Sequence, residues 1–196
     1  MLCLRTLGLQ IALAILFPFT LLGVEPLSSM KTVCTFDRPS EEPGWVAQND
    51  GVMGGVSSGK AEINDGELHF SGELSLENNG GFAQIYSQPE MSDFSSYSAV
   101  KLRAKGDGRT YQFRITTDAR FRGSQIAYRA EFKAKADEWA HISIPFESFV
   151  PSFRGKLLEG PPMNLTSVQR IAFLLNDSNP GTFSLKVDWI GLEPSK

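Results

Sequence analysis

At 196 residues, 41% hydrophobic and 21% charged, the chain has the size and composition of one soluble domain with a substantial core. A formal net charge of −3 excludes the basic field that non-specific nucleic-acid binding requires. Cys3 and Cys34 are the only cysteines, which leaves a mature domain one thiol and no internal disulfide.

The amino terminus stands apart. Arg5 is the only charge ahead of an apolar stretch from Leu7 to Val24, interrupted by Gln10 and Pro18. This is the pattern of a secretory signal, with Leu27-Ser28-Ser29 as a cleavage region, or of an uncleaved membrane anchor. Both readings divide the chain into a targeting segment over 1–29 and a single domain over 30–196. Both also predict an extracytoplasmic protein, periplasmic or secreted, that touches the membrane only through the amino-terminal segment if that segment is kept. The stretch is not amphipathic or Arg-rich, so it does not read as a mitochondrial transit peptide. Cys3 precedes the apolar run, so a lipoprotein anchor is excluded.

Beyond residue 30 the sequence falls into short alternating runs divided by Gly, Asn, Asp and Pro. Thr32–Phe36 reads as a strand with Cys34 and Phe36 buried, Asp37–Gly44 as an acidic loop, and Trp45–Gln48 as the next extended piece. Two glycine-rich stretches, Asn49-Asp50-Gly51-Val52-Met53-Gly54-Gly55 and Glu77-Asn78-Asn79-Gly80-Gly81, flank a strand pair whose turn is Asn64-Asp65-Gly66. Phe82–Ser87 alternates again. Ala99–Ala104 and Arg109–Thr117 are predicted to form a hairpin across Lys105-Gly106-Asp107-Gly108. Their apolar sides are Val100, Leu102, Ala104 and Tyr111, Phe113, Ile115. Ile126–Phe132 and Trp139–Pro145 continue the pattern, and Phe146–Met163 is a long connection. A helical turn is expected within Leu165–Gln169, then strands over Val168–Leu175 and Thr182–Ile190, separated by a dense turn signal at Asn176–Gly181. Regular strands without βα alternation predict an all-β antiparallel jelly roll or β-sandwich.

No catalytic constellation emerges. Gly54-Gly55-Val56-Ser57-Ser58-Gly59-Lys60-Ala61 falls one residue short of a phosphate-binding P-loop, because Ala61 has no hydroxyl and no helix follows. His69 and His141 are isolated and read as half-buried strand residues. Neither a G-x-S-x-G elbow nor an H-E-x-x-H helix occurs. Asn49/Asp50 and Asn176/Asp177 carry oxygens of the kind calcium takes, but turn formation accounts for them equally, and no metal or other cofactor is predicted. Asn164-Leu165-Thr166 fits a glycosylation sequon, which matters only in a eukaryotic secretory host. Trp45, Trp139 and Trp189 would either stack on a sugar or fill the core.

The stretches Asn49–Ser57 and Phe70–Ala83 resemble the complex I intermediate-associated protein 30 family. So do Ile144-Pro145-Phe146, Phe149–Gly155 and Val187-Asp188-Trp189-Ile190. The likeness runs from about Thr32 to Leu192. It implies a galactose-binding-like β-sandwich without catalytic residues, acting as a non-enzymatic, chaperone-like assembly factor that binds proteins of a membrane-associated complex. Candidate contacts are Asp50, Met53, Glu77, Asn78, Asn79 and Arg154, with Gly51, Gly54, Gly55, Gly80 and Gly81 shaping the loops. The alternative expectation is an extracytoplasmic carbohydrate-binding module on the same jelly roll, with a glycan in place of the protein partner.

Overall fold

A computed structural model of the chain describes residues 30–38 and 44–195. The apolar amino-terminal signal or anchor expected over 1–29 lies outside them. The described residues form thirteen strands. In chain order these are β1 (Lys31–Cys34), β2 (Trp45–Asn49), β3 (Ser58–Asn64), β4 (Glu67–Leu74), β5 (Ala83–Ser87) and β6 (Tyr97–Lys105). There follow β7 (Thr110–Phe121), β8 (Ser124–Lys133), β9 (Ala140–Pro145), β10 (Val150–Phe153), β11 (Lys156–Leu157), β12 (Val168–Leu175) and β13 (Gly181–Pro194). The smaller sheet runs β3-β4-β13-β6-β9, with β1 also paired to β13. The larger runs β11-β10-β8-β7-β12-β5-β2. All strand pairings are antiparallel, and the two sheets pack into the expected sandwich.

Alternation places the core. Val100, Leu102 and Ala104 on β6, Tyr111, Phe113 and Ile115 on β7, and Ile126, Tyr128, Ala130 and Phe132 on β8 are all buried. Phe113 meets Phe173 edge-on at 5.3 Å, and Phe70 meets Phe183 at 4.9 Å, so aromatic pairs from both sheets fill the centre. Cys34 and Phe36 are buried as expected. The turn between β3 and β4 has Asp65 at φ 53° and Gly66 at φ 75°, the left-handed pair that an Asx-Gly sequence favours.

The predicted hairpin across Lys105–Gly108 does not form. β6 and β7 belong to different sheets, and the linker crosses between them. The two apolar faces therefore oppose each other through the core instead of lying side by side. Asp107 fixes the crossing: its carboxylate accepts from the Arg109 amide (3.1 Å), the Tyr111 hydroxyl (3.0 and 3.1 Å) and the Ser184 amide (2.9 Å). At Gly106 a Cβ would come within 2.4 Å of the Ala134 side chain, so only glycine lets the two segments approach. The long connection after β9 also differs from expectation, since it contains β10 and β11 on the edge of the larger sheet. The helical turn is a short 3-10 turn at Leu165–Ser167, capped by the Asn164 side chain, which accepts from the Thr166 amide.

Candidate functional site

The two glycine-rich loops meet at Asp50. Its side chain is fully buried and accepts from the Ser57 amide (2.9 Å), the Ser57 hydroxyl (2.5 Å), the Gly81 amide (2.7 Å) and the Phe82 amide (3.3 Å). Burial alone would raise the carboxyl's pKa. The hydrogen bonds from Ser57, Gly81 and Phe82 outweigh it and hold the group below the ordinary carboxylate range. Gly55 and Gly80 wrap this carboxylate so closely that a Cβ on either would lie 2.4 Å or 2.6 Å from an Asp50 side-chain atom. Gly54 (φ 90°) and Gly81 (φ 128°) take left-handed backbone, while Gly51 faces open space. Asp50 is thus a junction between loops and presents nothing to solvent, which corrects the expectation of a contact residue there. The P-loop-like stretch runs straight from this junction into β3, so no helix amino terminus is available to a phosphate.

A groove lies elsewhere, on the outer face of the larger sheet. Two adjoining hollows of about 460 and 690 Å³ share Gln48, Gln84, Arg114, Ser152 and Arg154 as lining. Gln48 on β2 and Ser152 on β10 are five strand spacings apart, about 24 Å along a flat sheet. That both line one hollow means the sheet curls. The floor is well covered for an outer face: Ser152 is 1% exposed, Gln112 4%, Leu174 5% and Ala172 7%. Val52 and Met53 form an apolar lip.

Arginine dominates the floor. Arg114 on β7 stands directly opposite Arg129 on β8, a like-charge pair that costs stability, and Arg170 lies two residues from Ala172, the β12 partner of Arg114. The Arg114 guanidinium donates to the side-chain amide oxygen (Oε1) of Gln84 at 3.2 Å, yet its Nε is buried without a partner, as is that of Arg170. Burial, reinforced by the neighbouring Arg129 charge, pushes the pKa of Arg114 down to about 10. Arg170 lies over the Tyr86 ring at 5.5 Å. Among the described residues no ion pair engages Arg114, Arg129, Arg154 or Arg170.

Of the residues singled out from sequence, Met53 and Arg154 line the groove. Glu77, Asn78 and Asn79 are exposed on the second loop and do not line it. Asn176 accepts from Gln112, and Asp177 is paired with Arg109, so these turn oxygens are already engaged. His69 is half-buried and hydrogen-bonded to Glu67 at 3.1 Å, whereas His141 is exposed and packs edge-on against Trp189. Trp45 packs on Phe36 and Phe173, and Trp139 lies beneath Arg103 and Lys105; none of the tryptophans lines the groove. Sequence reasoning missed Gln84, Arg114, Arg129 and Arg170. The available signal was the run Ile171-Ala172-Phe173-Leu174-Leu175, apolar on both faces amid alternating strands, which marks a strand whose outer face is also covered.

Comparison with known proteins gives a consistent family and fold. The family profile described as Complex I intermediate-associated protein 30 matches residues 34–187. A Mus musculus protein, "Complex I intermediate-associated protein 30, mitochondrial", is 27% identical over 187 residues, which span 85% of this chain and 57% of that protein. The Drosophila melanogaster protein of the same name is 24% identical over 106 residues, 52% of this chain and 36% of the relative. The chain thus covers little more than half the length of the mouse protein. Among solved structures, the family 11 carbohydrate-binding module from Clostridium thermocellum in complex with a β-1,3-1,4-mixed-linked tetrasaccharide superposes with a TM-score of 0.62 at 18% identity. That superposition covers 85% of this chain and 96% of the module. A family 30 carbohydrate-binding module gives a TM-score of 0.51 at 14% identity, over 72% and 92%. These likenesses establish a jelly-roll sandwich. The mitochondrial relatives overturn the extracytoplasmic placement expected from the amino terminus. Apolar length and a single basic residue describe how a segment partitions, and they do not specify an address.

Proposed function

Because the chain belongs to the complex I intermediate-associated protein 30 family, we propose that it is a non-enzymatic binding factor that helps assemble a membrane-associated complex of the complex I type. We infer that it engages a protein partner through the groove on the larger sheet. The observation that carries this reading is the floor itself: Arg114 and Arg170 line it, and among the described residues neither guanidinium has a counter-ion. A guanidinium without a counter-ion at the floor of a groove favours a ligand that brings acceptor oxygens to it. The names of the mouse and fly relatives support the assembly role, which extends here from proteins that this chain covers only in part.

A carbohydrate is the second reading, favoured by the amides Gln48 and Gln84 beside the Tyr86 ring. Sugar sites generally present broad aromatic platforms next to amides. Here the tryptophans pack elsewhere and arginines occupy the floor, which favours a protein partner.

The test is genetic. In cells lacking the chain, fully assembled complex I on native gels is expected to fall and subassemblies to accumulate. Wild type restores the complex, whereas a chain carrying Arg114→Glu and Arg170→Glu does not. Undiminished complex I in the deletion strain sinks the reading.

A further inference from the structure

The proposed groove has a chemistry that specifies more than a protein partner. We propose that it receives an extended, acidic segment of that partner, whose carboxylates pair with Arg129, Arg114 and Arg170; this rests on the binding-factor reading above.

Charge placement carries the argument. The chain is net negative, yet the groove floor gathers guanidinium groups on three adjacent strands, β8, β7 and β12. The Arg114–Arg129 pairing is repulsive, and a sandwich gains nothing from it unless an anion lies between the two. The exposed Glu131, opposite Gln112 on the same face, forms no ion pair with either arginine. Guanidinium groups also suit carboxylates because the planar fork donates two parallel hydrogen bonds.

Arg154 supplies an independent observation. With Gly155 it forms the turn between β10 and β11, and both have positive φ, 49° and 79°. At the first position of such a turn Asn, Asp or Gly is strongly preferred, and an arginine there is strained. Yet it is this side chain that lines both hollows. The Arg154 side chain thus enters the groove from a backbone that an arginine adopts only with strain.

Shape then selects a segment over a small ion. The arginines are spread across neighbouring strands, about 5 Å apart per strand, instead of converging on one point. An extended peptide places alternate side chains about 7 Å apart on one side, a spacing that lets successive carboxylates reach successive guanidinium groups. The apolar lip of Val52 and Met53, 68% and 64% exposed, gives a hydrophobic residue at one end of such a segment a place to rest.

The purified chain is to be titrated, by fluorescence anisotropy, with a short labelled peptide alternating Glu and Ser and with its Gln-for-Glu twin. Expected is saturable binding of the acidic peptide, at least about tenfold tighter than the twin and weakened by salt. Arg114→Gln and Arg170→Gln should each reduce affinity by roughly tenfold. Arg154→Asn, which suits the turn better, should reduce it several-fold while the melting temperature holds or rises. Equal binding of the two peptides, or none, overturns the proposal. So does full displacement by inorganic phosphate at concentrations matched in charge, which would mark a small-anion site. Because complex I assembly is scored separately, a chain that rescues assembly but ignores acidic peptides refutes this inference and leaves the binding-factor reading standing.

Discussion

Asp50→Ala is expected to destabilise the domain by about 3–5 kcal/mol, because it leaves buried amide donors without acceptors. The orphans are the N–H groups of Ser57, Gly81 and Phe82, while the Ser57 hydroxyl loses its short bond and keeps only the Ser75 carbonyl at 3.1 Å. No alternative geometry is at hand, since Gly55 and Gly80 are moulded around the existing side chain. In a thermal melt the loss should appear as a fall of roughly 10 °C for a domain of this size. Asp50→Asn should do little better, because its amide turns donors towards donors. The pH dependence follows from the sign of the shift. The folded-state pKa lies below the unfolded value, so this contribution is complete above about pH 4 and fades as pH falls through the folded-state value. Wild type should therefore lose stability on acidification more steeply than Asp50→Ala. A variant melting within a degree or two of wild type, with the same acid slope, would show that the two loops hold together without this carboxylate.

Arg109→Ala should cost a similar amount, about 3–5 kcal/mol, for a different reason: it strands a partly buried carboxylate. The Arg109 side chain is 8% exposed and that of Asp177 17%. The guanidinium donates from Nε at 2.9 Å and from Nη2 at 2.6 Å to the two Asp177 oxygens, and it also reaches the main-chain carbonyls of Asn179 and Thr182. It thereby ties the inter-sheet crossing to the turn before β13. Burial would raise the Asp177 pKa, but the pairing with Arg109 keeps it below the usual value. Replacing both partners, Arg109→Met with Asp177→Leu, should cost clearly less than Arg109→Ala alone, since no charge is then left unpaired. Urea unfolding of the single and double variants measures this. A double variant as unstable as the sum of the two singles would mean that the groups act independently.

These two residues illustrate how far local sequence reading carries. The sandwich was legible because apolar residues alternate on β6, β7 and β8, and a period of two admits little else. The Asp65-Gly66 turn was legible because its backbone angles demand those residues. The path between β6 and β7 was not, because Lys105-Gly106-Asp107-Gly108 has the composition of a hairpin turn. Its use as a crossing depends on Asp107 bonding Ser184, which is remote in sequence. The glycine loops were visible as unusual, but their convergence on Asp50 joins residues 31 and 32 positions apart. The groove was hidden for the same reason. Gln48, Arg114 and Arg170 sit on separate strands and Arg154 on the turn after β10, each an unremarkable polar residue in the sequence, and only the curl of the sheet assembles them. Arg154 could be picked out, since it falls within a stretch that resembles the family, but its neighbours across the sheet could not.

Site-specific photo-crosslinking tests the central claim, that the outer face of the larger sheet is the recognition surface. A photoreactive residue is placed at Gln48, on the groove wall, or at Glu62, exposed on the smaller sheet, in cells that assemble complex I. Crosslinks to a subunit of that complex from position 48 and none from position 62 are the predicted result. Crosslinks from position 62 alone, or equal yields from both, would contradict it.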